Sequence, residues 1–353
     1  PALGCAVVGA LYILWICCAR RRIALTAKLI EQSVAVVATH PGLFAVSGVL
    51  FIVKIASVAL CFVSALAVIA SKISVTNDDD ECDVTFREFE IFDIIQFAVC
   101  FIFFFWTITI WLTMKRYIFS LVTGTWYYEH ESLAAQEGTI TDKQRTRAPI
   151  CTGIKLACSS GFGTIAFASL ILAICEFLKS IVKSMKREND TNKCGLACLI
   201  TCCLQCIVDL FEFCSNFALS YSALTGESFC KSGKTFLSHC SRHGFIKVYV
   251  VDALAGMIFR FGAFVFALLT MVVMLLMAKT RVRNNEPDMT DKELMDTLIV
   301  VGVISFVLSG IIFHFVMSLL LMIVDAAYAC VVLDLDNYGR TNQFPRPAIA
   351  VVV

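Results

Sequence analysis

TLIVVGVISFVLSGIIFHFVMSLLLMIV, residues 297–324, holds one titratable side chain, His314, in its interior. A helix of about 20 apolar residues crosses roughly 30 Å of hydrocarbon, because each backbone N–H and C=O can then be paired inside the helix itself. This stretch exceeds that length and reads as a membrane span. The whole chain has the same character. Of 353 residues, 59% are hydrophobic and 16% charged, and the mean hydropathy is +0.81. Soluble chains average roughly 45 to 50% apolar and about 25% charged, so the excess calls for lipid as a solvent. A net charge of +1 gives no basic footprint for nucleic acid. The 6 Pro and 18 Gly exclude collagen-like and low-complexity chains.

Working outward, five more segments are long and apolar enough to cross. They are residues 2–19, ending at Arg20, Arg21 and Arg22; 43–71, with a lone Lys54; 94–114, between Asp93 and Lys115; 156–175, between Lys155 and Glu176; and 255–278, beginning after Asp252 and including Arg260. The fourth of these contains Gly161, Gly163, Ala166 and Ala168, small residues that allow close helix contact. Residues 194–226 form a seventh candidate, interrupted by Asp209 and Glu212 and too polar to assign by hydropathy. The linker from Arg20 to His40 is basic and falls on the cytosolic side by the positive-inside tendency; the strongly acidic segment from Ser71 to Asp93 falls outside. Lys179, Lys183, Lys186, Arg187 and Lys193 oppose their own external placement, and no arrangement of the six clear spans satisfies every loop. Letting residues 194–226 cross gives seven spans and a cytosolic C-terminus. Residues 22–39 carry Ile23, Ala27, Ile30, Val34 and Val37 at helical spacing, an amphipathic helix at the inner membrane face. The expected fold is an all-α polytopic transmembrane helix bundle in a single transmembrane domain, with that interfacial helix.

Most of the 18 Cys lie in apolar runs, where they act as small hydrophobes. Cys194, Cys198 and Cys202 share one helical face, which favours a small-residue packing surface, with S-palmitoylation second. Zinc would require CxxC pairs or added His, so no metal is expected. GxSxG, HExxH and GxxxxGK[ST] are missing in context, and neither an enzyme nor a cofactor is expected. Pro1 leads straight into an apolar stretch without a charged n-region, unlike a signal peptide; a fragment lacking N-terminal spans is the expectation.

Five motifs in order resemble the choline transporter-like family, solute carrier family 44. RRRIALTAKLIEQS at Arg20–Ser33 is similar to its RIxxAxxLIKEAS. FFFWTITIWLTMKRYIFSLVTGTWYY resembles the helix that opens with Trp and closes with Trp-Tyr, matched by Trp106, Trp126 and Tyr127. GFGTIAFASLI is similar to HxGSLAFGSLI, keeping Gly163, Thr164, Ala166, Phe167 and Ser169. ALTGESFCKS resembles AIYGxxFCxS, matched by Gly226, Phe229, Cys230 and Ser232. DAAYACVVLDLD is similar to DTxxxCFxEDxE, matched by Asp325, Cys330, Asp334 and Asp336. The resemblance implies a multi-span carrier of choline or a related small amine such as ethanolamine, in a plasma or organelle membrane. Departures are Lys115 and Arg116 at uncharged family positions, and Gly161 where the family has His. The two cations would repel a quaternary ammonium, so either they snorkel to the interface or the substrate is not choline.

Choline has a fixed positive charge and no N–H to donate, so its head is recognised by aromatic faces and a nearby anion. Trp106, Trp111, Tyr221, Phe229 and Tyr328 are the candidate rings, each competing with a plain packing role among 29 Phe and 8 Tyr. Trp126, Tyr127 and Tyr128 read as interfacial belt residues. Asp252, Asp325 and Asp209 are the candidate anions, because a charge kept inside a bilayer usually lines a cavity or has a partner. Asp252 or Asp325 is expected to balance the substrate; the alternatives are an Asp252–Arg260 ion pair and cytosolic exposure of Asp325. His314 is a proton-coupling candidate, and a packed neutral imidazole is the competing reading. The expected partners are the lipid bilayer and a small cationic amine, with the oligomeric state open. A channel or scramblase, and a non-transporting scaffold, are the alternatives to an alternating-access carrier.

Overall fold

The computed structural model describes residues 23–70, 73–78, 81–86, 91–135, 149–189, 195–243, 245–285 and 291–341. The span expected at residues 2–19 and Cys194 lie outside them. The described elements are α1 (residues 23–39), α2 (Gly42–Ala70), β1 (Ile73–Asp78), β2 (Glu81–Phe86), α3 (Ile91–Ala135), α4 (Pro149–Cys158), α5 (Phe162–Asn189), α6 (Gly195–Thr225), α7 (Phe229–His243), α8 (Phe245–Asn285) and α9 (Asp291–Thr341). Among them, 6 helices are long and apolar enough to cross a membrane, in the stretches Gly42–Ala67, Val99–Tyr128, Phe162–Met185, Thr201–Thr225, Asp252–Val282 and Lys292–Asp334. The chain is a multi-pass membrane protein built as a helix bundle. Its exposed side chains include Leu60, Ile102, Phe261, Leu276 and Ile312, which belong against lipid rather than water.

Helix ends depart from the apolar segments in ways that chemistry explains. Helix α3 runs on through Lys115 and Arg116 to Ala135. A charged residue interrupts hydropathy without interrupting helical hydrogen bonding. Lys115 therefore lies near the middle of Val99–Tyr128, buried, with its Nζ 5.5 Å from the centroid of the Phe119 ring. Trp126 and Tyr127 are buried too, so they are core residues and not a belt. The expected span at 156–175 is broken at residues 159–161, where α4 gives way to α5 and the Gly161 N–H donates to Leu156 O at 2.9 Å. Within the seventh candidate, Gly195–Thr225 form one long helix, α6.

The acidic segment between α2 and α3 contains an antiparallel hairpin, from the pair Ile73 and Phe86 to the pair Asp78 and Glu81. Its β-branched alternation, Ile73-Ser74-Val75-Thr76 against Val84-Thr85, suits a pleated ribbon. Reading the segment by charge alone concealed that pattern.

Two compact units are present, one comprising residues 1–39 and 240–353, the other residues 40–239. In the first, α8 and α9 pack antiparallel. A Cβ on Gly302 would meet Leu275 at 3.2 Å and one on Gly310 would meet Ala267 at 3.9 Å, while Phe266 stacks on Phe313 at 5.1 Å between centroids. Helix α1 of this unit buries Thr26, Leu29, Ser33 and Val36. Ile23 and Val34 of the expected apolar stripe are exposed. At about 100° per residue, the stripe sits a quarter-turn from the buried face, and the Lys28–Glu31 ion pair marks a third. Those three faces suit an interfacial helix.

In the second unit α3 is the central post. Its Thr109 Oγ1 donates to Ser169 O of α5 at 3.0 Å, and its Ser120 hydroxyl bonds Ser220 of α6 at 3.0 Å inside the core. Such hydroxyl contacts hold helices together where no hydrophobic drive exists between them. Small residues allow the approach. Leu224 of α6 fills the space a side chain on Gly124 would take, and a Cβ on Gly161 would fall 2.8 Å from the Tyr117 ring and 3.0 Å from Leu156 O. The Tyr117 ring thus occupies the place where a larger side chain at position 161 would project. Gly163 meets nothing within 4 Å, so only the first glycine of that pair serves packing. Gly161→Ala is therefore expected to cost about 1 to 3 kcal/mol through overpacking, seen as a lower midpoint of thermal unfolding in detergent, with Gly163→Ala close to unchanged.

Candidate cation site between α3, α5 and α6

The side chains that hydropathy counted against α6 turn out to answer one on α5. Lys179 lies 3.2 Å from Asp209, pairs directly with Glu212, and is 4.0 Å from Glu176 one turn back on its own helix. Gln205, one turn before Asp209, donates from Nε2 to both of its carboxylate oxygens at 3.0 and 3.1 Å. Glu212 falls half-way along Thr201–Thr225. An isolated acid at that depth would be expensive, and pairing is what permits it. The same pairing answers the topology conflict in part, because Lys179 is not a loop charge.

Beside this cluster lies a cavity of about 730 Å³ lined by Phe105, Glu176, Lys179, Lys183, Thr201 and Gln205, among others. Its apolar wall is part of an aromatic group. Phe101, Phe105 and Phe177 contact one another edge-on, with centroids 4.8 to 6.4 Å apart. Three carboxylates around one ammonium, next to ring faces, form an environment that holds positive charge.

The residues singled out from the sequence fall into both units. In the second unit, Trp106 donates its Nε1–H to Ser169 Oγ at 2.8 Å, fastening α3 to α5. Trp111, one turn on, has a buried Nε1 that finds no acceptor among the described residues. Tyr221 is buried in α6, and Phe229 is buried with its ring edge-on to Phe167 at 5.8 Å. In the first unit, Asp252 is half-buried within α8. Asp325 is 4% exposed and Tyr328 8%. They stand three residues apart on α9, which continues unbroken to Thr341, so Asp325 is not a solvated helix end. His314 is on an exposed face of α9. Cys202, Cys203 and Cys206 are exposed on α6, and no group of three or more metal-ligating side chains gathers among the described residues.

Sequence reading named Asp209 but missed Glu176, Lys179 and Glu212 as its companions. A signal existed: acids at 209 and 212 and a base at 179 in neighbouring apolar segments joined by a short loop. Only the antiparallel packing of α5 on α6 brings them to one depth.

A family model described as plasma-membrane choline transporter matches residues 3–336. A CTL-like protein of Dictyostelium discoideum is 25% identical over 280 residues, covering 73% of this chain and 48% of its own length. Choline transporter-like 2 of Anopheles gambiae is 24% identical over 269 residues, 74% of this chain and 31% of its own. Protein PNS1 of Yarrowia lipolytica is 25% identical over 264 residues, 73% and 44% respectively. The matched regions are half or less of these relatives' lengths. With the match running through nearly every helix described above, the chain belongs to the choline transporter-like family.

Proposed function

We propose that this chain forms part of a plasma-membrane carrier for choline or a related small amine such as ethanolamine, working by alternating access. The observation that carries the reading is the convergence of Glu176, Asp209 and Glu212 on a single ammonium beside a cavity walled by Phe105. Counting Lys183 of the cavity wall with Lys179, the three carboxylates still leave one negative charge for a further cation. A quaternary ammonium cannot replace the N–H bonds of Lys179, but it gains from carboxylate charge and from ring faces at about 0.5 to 2 kcal/mol each. A weak site of this kind suits a carrier, which must also release its load. Carriers hold substrate near the bilayer midplane, and Glu212 supplies an anion at that depth.

The resemblance and the relatives' names support the substrate class. Asp325 and Tyr328, one turn apart on the buried face of α9, offer a second carboxylate-and-ring pair, and Asp252 of α8 a third anion. Within the first unit we assign Asp325 or Asp252 to balancing substrate charge; within the second, Trp106, Tyr221 and Phe229 are packing neighbours or ring contacts of its own site. Lys115 already occupies the Phe119 face, which leaves that ring out of the substrate site. His314 is the proton-coupling candidate.

Radiolabelled choline uptake into proteoliposomes of the full-length protein tests the reading, with ethanolamine competition and an imposed proton gradient. Saturable, competable uptake is expected; unsaturable flux would identify a channel, and no flux a scaffold. Glu212→Gln is expected to raise the KM for choline about tenfold, the loss of roughly 1.4 kcal/mol of attraction. Asp325→Asn and Asp252→Asn are compared with it, and full-rate uptake in all three removes the charge-balancing assignment. Lys179→Met leaves three carboxylates without their cation and is expected to destabilise the protein, whereas Lys179→Met combined with Glu212→Leu recovers part of the loss. His314→Gln is expected to flatten the pH dependence of uptake, and an unchanged profile removes proton coupling through that side chain.

A further inference from the structure

Helix α6 ends abruptly. Gly226 has φ of +72°, a left-handed conformation that glycine adopts without penalty, and its N–H donates to Ser222 O at 2.8 Å. That is the usual geometry closing a helix C-terminus. The Ser222 hydroxyl also bonds Glu227 O at 2.6 Å, fixing the turn, and α7 begins at Phe229. Helix α7 therefore starts within a few residues of the end of the span Thr201–Thr225. With 15 residues it rises only about 22 Å, too short to cross, and it carries charge. The stack of Phe236 on Phe217 and the approach of Gly233 to Ala218 set it back alongside the last turns of α6, at that end of the span.

Its three faces are distinct. Phe229, Ser232 and Phe236 are buried, and Phe236 stacks on Phe217 of α6 with centroids 5.1 Å apart. Cys230 and Leu237 form an exposed, weakly polar flank. Lys231 and Lys234 project from the remaining surface. From Ser228 to Val251 the sequence has Lys231, Lys234, Arg242 and Lys247 and no Asp or Glu. Lys231 also bonds Glu227 at 2.8 Å at the start of the helix. A helix seated by one face, with an apolar flank and a basic remainder, matches the build of interfacial helices that attract anionic lipid.

We infer that the outward face of α7 docks the headgroups of anionic phospholipids. Neutral headgroups offer no net charge to this face, and an acidic protein would not need the Cys230 and Leu237 flank to meet acyl chains. The cations also fit the positive-inside asymmetry, placing α7 on the leaflet where anionic lipids concentrate. This inference is independent of the transported substrate.

The test uses the full-length protein in nanodiscs of phosphatidylcholine mixed with phosphatidylserine, with retained lipids identified after purification. Wild type should be enriched in phosphatidylserine, and salt should weaken the enrichment. Lys231→Gln and Lys234→Gln together should remove it, by about fivefold per cation, whereas Lys231→Arg with Lys234→Arg should keep it. If the double variant does not fold in pure phosphatidylcholine, Lys234→Gln alone carries the test and should lower enrichment about fivefold. Wild-type enrichment in the neutralised proteins, or enrichment insensitive to salt, overturns the assignment; so does retention of an acidic protein instead of lipid.

Discussion

Hydrocarbon offers no hydrogen-bonding solvent, and nearly every feature of this chain follows from that lack. Backbone groups are satisfied inside long helices. Hydroxyls in the spans turn back onto their own helices: Ser57, Thr107, Thr113, Thr270 and Ser309 each donate to the carbonyl four residues earlier. The hydroxyls and indole that instead reach a neighbouring helix, Thr109, Ser120 and Trp106, define where α5 and α6 meet α3. The same shortage makes close packing matter, since lipid tails give helices no hydrophobic reason to associate. Gly124 and Gly161 are small where a side chain or a carbonyl comes nearest.

Charge obeys the same rule more strictly. Asp209 and Glu212 lie inside an apolar helix because Lys179 comes to meet them from α5. Lys115 is buried with a phenylalanine ring beneath it, and Asp325 and Asp334 are buried along α9. Groups this costly at membrane depth belong to pathways and sites more often than to scaffolding, which connects the energetics of the bundle to the carrier function proposed above. The cavity beside Glu176 and Lys179 gives one such group access to the outside of the helices.

A different device appears in two of the shorter helices. Helices α1 and α7 each divide into a buried face, an exposed apolar flank and a charged sector. A two-way amphipathic pattern suffices for a helix between water and a core, but a helix that touches protein, lipid and water needs three. This explains why periodicity in α1 found the apolar stripe from Ile23 to Val37, while the face that packs is Thr26, Leu29, Ser33 and Val36.

The sequence alone determined the class of structure. Apolar segments of spanning length leave a chain no other fold in lipid, and ordered motifs from Arg20 to Asp336 carried the family. Segment ends were less legible, because hydropathy drops at Lys115 and at Asp209 whereas helical hydrogen bonding does not. The hairpin at Ile73–Phe86 was masked by its acids. Tertiary structure decided the rest: that Trp126 and Tyr127 are core, that Trp106 is a fastening between helices, and that Lys179 faces Asp209 and Glu212. Composition records which charges a chain has, but whether a charge in a membrane is tolerable depends on what lies within a few ångströms of it. That is settled only when helices distant in sequence are set side by side.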